Sequence, residues 1–251
     1  MRYEILGPLR VVDGDHVLAI GAPKRELVLG LLLVRSNQVV PADDLITEVW
    51  GDDPPRRARA ALHVSISHLR KFLARPDRAG NPIVTQAGGY LLDLSRDELD
   101  AHEFVRLAEL GRNHIKQRRF EEAAALMESA LGLWRGPTRG DLPSGSAISR
   151  YVTWLMELRL GCSEMLADAQ LELGFHRELV PSLYSLTAEH PLREVFYRQL
   201  MLALYRSDRK ADALMVYQTA RRTLNAELGL EPCRSVQDLQ QTILMADAPA
   251  R

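Results

Sequence analysis

Between Arg56 and Arg78 the chain holds seven lysines and arginines and one acid, Asp77, although the full 251-residue sequence has a formal net charge of -1. Most of these cations lie in "RRARAALHVSISHLRKFLA", residues 56 to 74, interleaved with His63, Ser65, Ser67 and His68. Guanidinium, ammonium, imidazole and hydroxyl groups gathered without a carboxylate partner are donors, and their chemistry is the recognition of anions. A compact cation cluster displaces condensed counterions from a phosphate backbone whatever the overall charge of the protein. A solvated helix face could carry the same residues, so the layout decides.

At about 100° per residue, Leu62, Ile66, Leu69 and Leu73 fall within roughly 60° of one another and form a core stripe. Opposite lie Arg56, Arg57, Ala60, His63, Val64, Ser67, His68 and Lys71. This face is cationic at its margins and small in its middle, and no acid occurs from Arg56 to Arg75. A merely solvating face favours long side chains in opposite-sign pairs, whereas a helix entering a major groove needs small central residues and donors around them. His63 and His68 sit about 140° apart, which removes them as a metal pair.

Covalent chemistry lacks its motifs. The sequence contains no GxxxxGKS/T phosphate loop, no GxSxG elbow, no HExxH and no catalytic Cys-His signature, and the pair Glu121-Glu122 reads as solvated helix surface. Cys162 and Cys233 lack CxxC or Cys/His spacing, and both are expected as buried small apolar residues. Trp134, Trp154 and Tyr205 are expected at helix-packing positions. Neither an enzyme nor a metal or other cofactor is expected.

The elements that must position the cation face follow from periodicity. Residues 3 to 20 mix β-branched residues with Gly7-Pro8 and Asp13-Gly14 turn signals, which predicts short antiparallel strands. A helix is predicted from Pro23, through Leu27, Leu31 and Val34, to Ser36-Asn37. A second, short helix is predicted over "PADDLITEVWG", with Pro41 in its first turn and Gly51 closing it. The loop "GDDPP" leads into the cationic helix, and residues 82 to 94 read as a β-hairpin turning at Gly88-Gly89. From Asp97 onward strand signals vanish and an all-α half is predicted. There Ala123/Met127/Ala130, Leu179/Leu183/Leu186 with Pro191, and Ala213/Tyr217/Ala220 form related units. Leu179 to Ala213 is 34 residues, the period of a tetratricopeptide helix pair. A Gly/Pro-rich loop over residues 135 to 146 and a frayed tail, "DAPAR", complete the reading.

Composition agrees with two soluble domains, divided at residues 1–96 and 97–251, the first with net charge +2 and the second with net charge -3. No apolar run approaches the length of a membrane span, and Met1 to Leu6 lacks a secretory pattern, so a cytoplasmic protein is expected.

Short sheet, three helices and hairpin is the order of a winged helix-turn-helix. "ILGPLRV", "GAPKRELVLGLLL", "VVPADDLITEVWGDDPP", "LHVSISHLRKFL" and "AGGYLLDL" together resemble the OmpR-type DNA-binding domain of the Streptomyces antibiotic regulatory protein family. "DELDAHEF", "LWRGP", "AEHPLRE", "LMLALYRSDRKADAL" and "ELGLEP" resemble the bacterial transcriptional activation domain that follows it. The resemblance implies a mainly α fold: a winged helix with small antiparallel sheets, then tetratricopeptide-like helices. It implies recognition-helix contacts to DNA at His63, Ser65, Ser67, His68, Arg70 and Lys71 and wing contacts at Thr85 and Gln86, and Arg56 and Arg57 join them as DNA-contact candidates from the cationic face.

It further implies an activator of a secondary-metabolite gene cluster. Such a protein binds direct repeats in double-stranded promoter DNA near the -35 element, with copies associating side by side on the DNA. It recruits RNA polymerase holoenzyme through the sigma factor's C-terminal region and the α subunit. The exposed, acidic and proline-stiffened Asp52, Asp53, Pro54 and Pro55 are the candidate polymerase contact. The residues themselves leave open a repressor on the same site, a repeat-type protein adaptor, or a small-molecule sensor.

Overall fold

The computed structural model describes residues 1–76, 80–136 and 147–246. Its internal contacts divide the chain into two compact units, residues 1–106 with 130–159, and residues 107–129 with 160–251. The predicted loop at residues 135 to 146, apart from its first two residues, and the "DAPAR" tail lie outside the described residues, as do Asp77 and Arg78.

In the first unit, β1 (Arg2–Glu4), β2 (Arg10–Asp13) and β3 (His16–Leu18) form antiparallel neighbours. Helices α1 (Pro23–Val34), α2 (Ala42–Trp50) and α3 (Ala58–Phe72) follow, with β4 (Val39–Pro41) between the first two. The hairpin is β5 (Ile83–Gln86) and β6 (Gly89–Leu92), turning through Ala87 and Gly88. β4 pairs with β6, so the sheet runs β4-β6-β5. Pro41 is therefore the last strand residue and the α2 cap, not part of the first helical turn. A two-residue strand, β7 (Glu98–Leu99), pairs parallel to β1, where the sequence showed no strand signal. Its pairing is tertiary: the Met1 amino group meets Asp97 Oδ1 at 2.9 Å, and Glu98 N–H donates to the Met1 carbonyl.

The core of this unit is the α1–α2–α3 junction, where Val28, Leu29, Leu31, Leu32, Leu33, Leu45, Leu62, Ile66, Leu69 and Leu73 are all but sealed from solvent. Buried charge lies at its edge. Asp100 Oδ1 and Oδ2 accept from Ile5 and Leu6 N–H at 2.9 and 3.0 Å, and burial raises this carboxyl above the usual range against those bonds and the nearby Arg135 charge. Burial pushes Glu4 the same way, but hydrogen bonding and charge from Arg10, with Arg135 and Arg2, outweigh it and hold Glu4 below the usual range. Glu48 on α2 accepts from Ala147 and Ile148 N–H, each at 3.1 Å, which satisfies two donors at the start of α6 (Ala147–Glu172).

The remaining helices are α4 (Asp100–Lys116), α5 (Phe120–Gly132), α7 (His176–Glu189), α8 (Glu194–Arg206), α9 (Lys210–Leu228) and α10 (Arg234–Met245). In the second unit three turns repeat one geometry. Arg118, Gly174 and Asp208 each take positive φ (58°, 89° and 63°), two residues before α5, α7 and α9 begin. The following N–H groups of Arg119, Phe175 and Arg209 reach back to His114, Gln170 and Leu204 carbonyls, a left-handed cap that closes each preceding helix in the same way. Arg118 to Gly174 is 56 residues and Gly174 to Asp208 is 34, the spacing found among the small and apolar positions. Most of those positions are buried, namely Ala123, Met127, Ala130, Leu179, Leu183, Ala213, Tyr217 and Ala220, while Leu186 is half-buried and Pro191 exposed. Two expectations fail. Cys233 is exposed where a buried residue was expected, since it precedes α10 as its cap, while Cys162 is buried. Trp154 is 47% exposed, not packed into the helix core, and stacks obliquely on Tyr151.

The hairpin imposes a close approach. A Cβ added to Gly89 would stand 2.1 Å from the Val40 carbonyl oxygen, whereas at Gly88, with φ +83°, nothing lies within 4 Å. Gly89→Ala therefore costs about 3 kcal/mol and Gly88→Ala about 1 kcal/mol in urea denaturation, because only the first must displace backbone.

Candidate nucleic-acid interface

α3 begins later than the periodicity suggested. Arg57 is its cap, with φ -120° and ψ 45°, so Arg56 and Arg57 precede the helix and extend from its first turn as exposed side chains, not as members of its outer face. Ala58 N–H donates to the Pro55 carbonyl and Ala61 N–H to the Arg57 carbonyl, which fixes this entry. Upstream, Asp52, Asp53, Pro54 and Pro55 are all exposed, after Gly51 closes α2 by donating to the Thr47 carbonyl.

Once Leu62, Ile66, Leu69 and Leu73 are buried, helical geometry puts His63, Ser67, His68 and Lys71 outward, and all four are exposed. Val64, 55% exposed, joins them as an apolar group in the middle of the face. It is a contact candidate that the donor-based reading passed over, although an apolar side chain can meet a thymine methyl. Ser65 is half-buried on the flank of this face, and its hydroxyl donates to the Ala61 carbonyl of its own helix at 3.0 Å. Arg59 pairs with Asp43 on α2 at 2.9 and 3.1 Å, but both side chains are more than 70% exposed, so the pair adds little stability. Arg75 is drawn to Asp13 at 3.1 Å.

The hairpin is fastened to this helix. Arg70 Nε donates to the Ile83 carbonyl at 3.0 Å and its Nη2 to Thr85 Oγ1 at 2.7 Å. The guanidinium stands 5.9 Å from the Tyr90 ring centroid, and His63 meets the same ring edge-on at 6.3 Å. Asn81 bridges the two elements, donating to the Arg70 carbonyl at 2.7 Å while its Oδ1 accepts from Ile83 N–H at 3.1 Å. Thr85 and Gln86 remain exposed at the hairpin tip. Two residues expected on separate elements, Arg70 and Thr85, are thus bonded to each other.

The comparisons fit this geometry. Residues 20–92 match the C-terminal domain model of transcriptional regulatory proteins, and residues 99–244 match the bacterial transcriptional activator domain. "Regulatory protein DnrI" of Streptomyces peucetius is 37% identical over 98% of this chain and 93% of its own length. The chain belongs to the Streptomyces antibiotic regulatory protein family. Its members are transcriptional regulators, and the winged helix followed by a mainly helical half is the family's fold. "Regulatory protein AfsR" of Streptomyces griseus is 39% identical over 98% of this chain, which spans about a quarter (25%) of that relative. The solved structure of Mycobacterium tuberculosis EmbR in complex with a low-affinity phosphopeptide superposes with a TM-score of 0.90 at 32% identity, over 97% of this chain and 64% of that one. Among the described residues, no helix is long and apolar enough to cross a membrane, and no group of three or more His, Cys, Asp or Glu could hold a metal ion.

Because Asn81 joins α3 to β5 by two bonds, Asn81→Ala leaves the Arg70 carbonyl and Ile83 N–H without it. A loss of about 1–2 kcal/mol is expected in urea denaturation, with faster amide exchange at Ile83.

Proposed function

We propose that this family member is a sequence-specific transcriptional activator acting in the cytoplasm on the nucleoid. α3 lies in the major groove of promoter DNA and presents His63, Val64, Ser67, His68 and Lys71 to base edges and phosphates. Arg56 and Arg57 meet the backbone at the helix entry, and Thr85 and Gln86 at the wing tip reach the adjacent minor groove. The observation that carries this reading is the exposed outer face of α3, small in the middle and cationic at its ends, backed by a buried stripe. Phosphate contacts fix register and base-edge contacts select sequence, and this face offers groups suited to each.

Copies bind side by side on direct repeats near the -35 element of a secondary-metabolite gene cluster, through head-to-tail contacts. Bound there, they recruit RNA polymerase holoenzyme through the sigma factor's C-terminal region and the α subunit. Asp52, Asp53, Pro54 and Pro55 suit that contact because they are exposed, acidic and stiffened by two prolines. The family resemblance supports this division of labour between residues 1–96, which bind DNA, and residues 97–251, which carry activation.

The test is binding to promoter fragments from the neighbouring gene cluster across a salt series, with and without holoenzyme. Selective binding that weakens with salt and strengthens with holoenzyme is expected. Lys71→Ala should weaken it about tenfold and lower the slope of log affinity against log salt by about one. Selective binding that holoenzyme weakens would make the protein a repressor. Absence of selective binding at any salt would leave a protein adaptor.

A further inference from the structure

We propose that Arg70 is a positioning residue that sets the wing against the recognition helix, and that Thr85, its hydroxyl oxygen engaged by Arg70, directs its own O–H to a DNA phosphate. This rests on the DNA-binding reading above and changes what Arg70 does within it: the guanidinium serves the wing and does not read a base.

Three observations converge on Arg70. One edge of its fork, Nε and Nη2, donates to the Ile83 carbonyl and the Thr85 hydroxyl, two acceptors on the outer wing strand. Its guanidinium also lies near Tyr90, which is buried and sits directly opposite Thr85 in the β5–β6 register. Its own carbonyl is held by Asn81, which also holds Ile83 N–H. The side chain is bonded to β5 at two points and the backbone beside it at a third through Asn81, which links β5 to α3. Bonds from a charged donor are about twice as strong as neutral ones, which suits a strand otherwise paired on one side only, to β6.

The geometry matters because a winged helix must fit two grooves at once, roughly 12 Å and 6 Å wide. The offset between α3 and the hairpin tip decides whether both fit. Of the five guanidinium N–H groups, that of Nε and one of Nη2 are engaged by the wing, which fixes the plane of the fork and leaves only its Nη1 side for any further acceptor. Thr85 gains from the arrangement. Its oxygen accepts from a cation, so its hydrogen is free to point outward and is polarised toward an anionic acceptor.

The test uses DNA selected from a random-sequence duplex pool by the unmodified protein, with the full-length variants Arg70→Lys, Thr85→Val, their double and Thr85→Ser. Lysine keeps the charge but cannot span both acceptors with a planar fork. Arg70→Lys and Thr85→Val should each weaken binding about tenfold. The double should be no weaker than about tenfold, because the two residues act as one device. Adenine N3 protection under the wing should be lost and guanine N7 protection under α3 kept, while Thr85→Ser binds as the unmodified protein does.

Arg70→Lys binding within about twofold of the unmodified protein, losses multiplying to about a hundredfold, or lost guanine N7 protection would each overturn the assignment. Thr85→Val alters one exposed side chain, so it reports even where Arg70→Lys unfolds. Failure of the pool to yield any enriched sequence would overturn the DNA-binding reading and this inference together. An enriched sequence with multiplicative losses overturns this inference alone.

Discussion

Burial of a single stripe of α3 governs the first unit. Leu62, Ile66, Leu69 and Leu73 are each no more than 1% exposed, against α1 and α2 residues that are equally sealed. Burying four such side chains contributes on the order of 6–12 kcal/mol of transfer free energy relative to leaving them exposed, before ordering costs are counted. That magnitude exceeds anything the outer face can exert on the helix orientation. The outward direction of His63, Ser67, His68 and Lys71 is therefore imposed from behind, and those positions can be chosen for what they bind. Small and cationic side chains there add little to folding, which is why their presence carries information about a ligand.

A second constraint fixes what stands beside that face. β4 turns the hairpin into a three-stranded sheet, and Gly89 permits β6 to approach the Val40 carbonyl. Arg70 and Asn81 then tie β5 to α3. The hairpin is held from both sides, by a backbone ladder inward and by side chains outward. Further back, Glu48 ties α2 to the first residues of α6, so the helices behind the α3 face are joined to residues within the activator-domain match.

Much of this was legible in the residue pattern, for physical reasons that also explain the rest. The α3 stripe, the α1 core and the 34-residue helical repeat are periodic features, and period is what a linear sequence displays most clearly. The start of α3 was misplaced by two residues because Arg56 and Arg57 continue the polar pattern, while the helix itself opens only after the Pro55 carbonyl bond. β7 escapes a sequence reading because Glu98 and Leu99 have no strand pattern of their own and pair only through tertiary contact with β1, whereas β4 does carry two β-branched residues, Val39 and Val40, in the short link between two predicted helices. Within the interface, the exposure of His63, Ser67, His68 and Lys71 followed from angular position alone. The hydrogen bonds of Ser65 and Arg70 did not: one depends on a rotamer bonded to its own helix, the other on the register of a hairpin thirteen to fifteen residues away.

The proposed function requires the outer face of α3 to enter the major groove. Photo-crosslinking from a light-activated amino acid installed at position 67, on selected duplex DNA and with position 177 on α7 as the comparison site, tests it most directly. Crosslinks are expected from position 67 to bases through their major-groove edges and none from position 177. Crosslinks from position 177 with none from position 67 would contradict it.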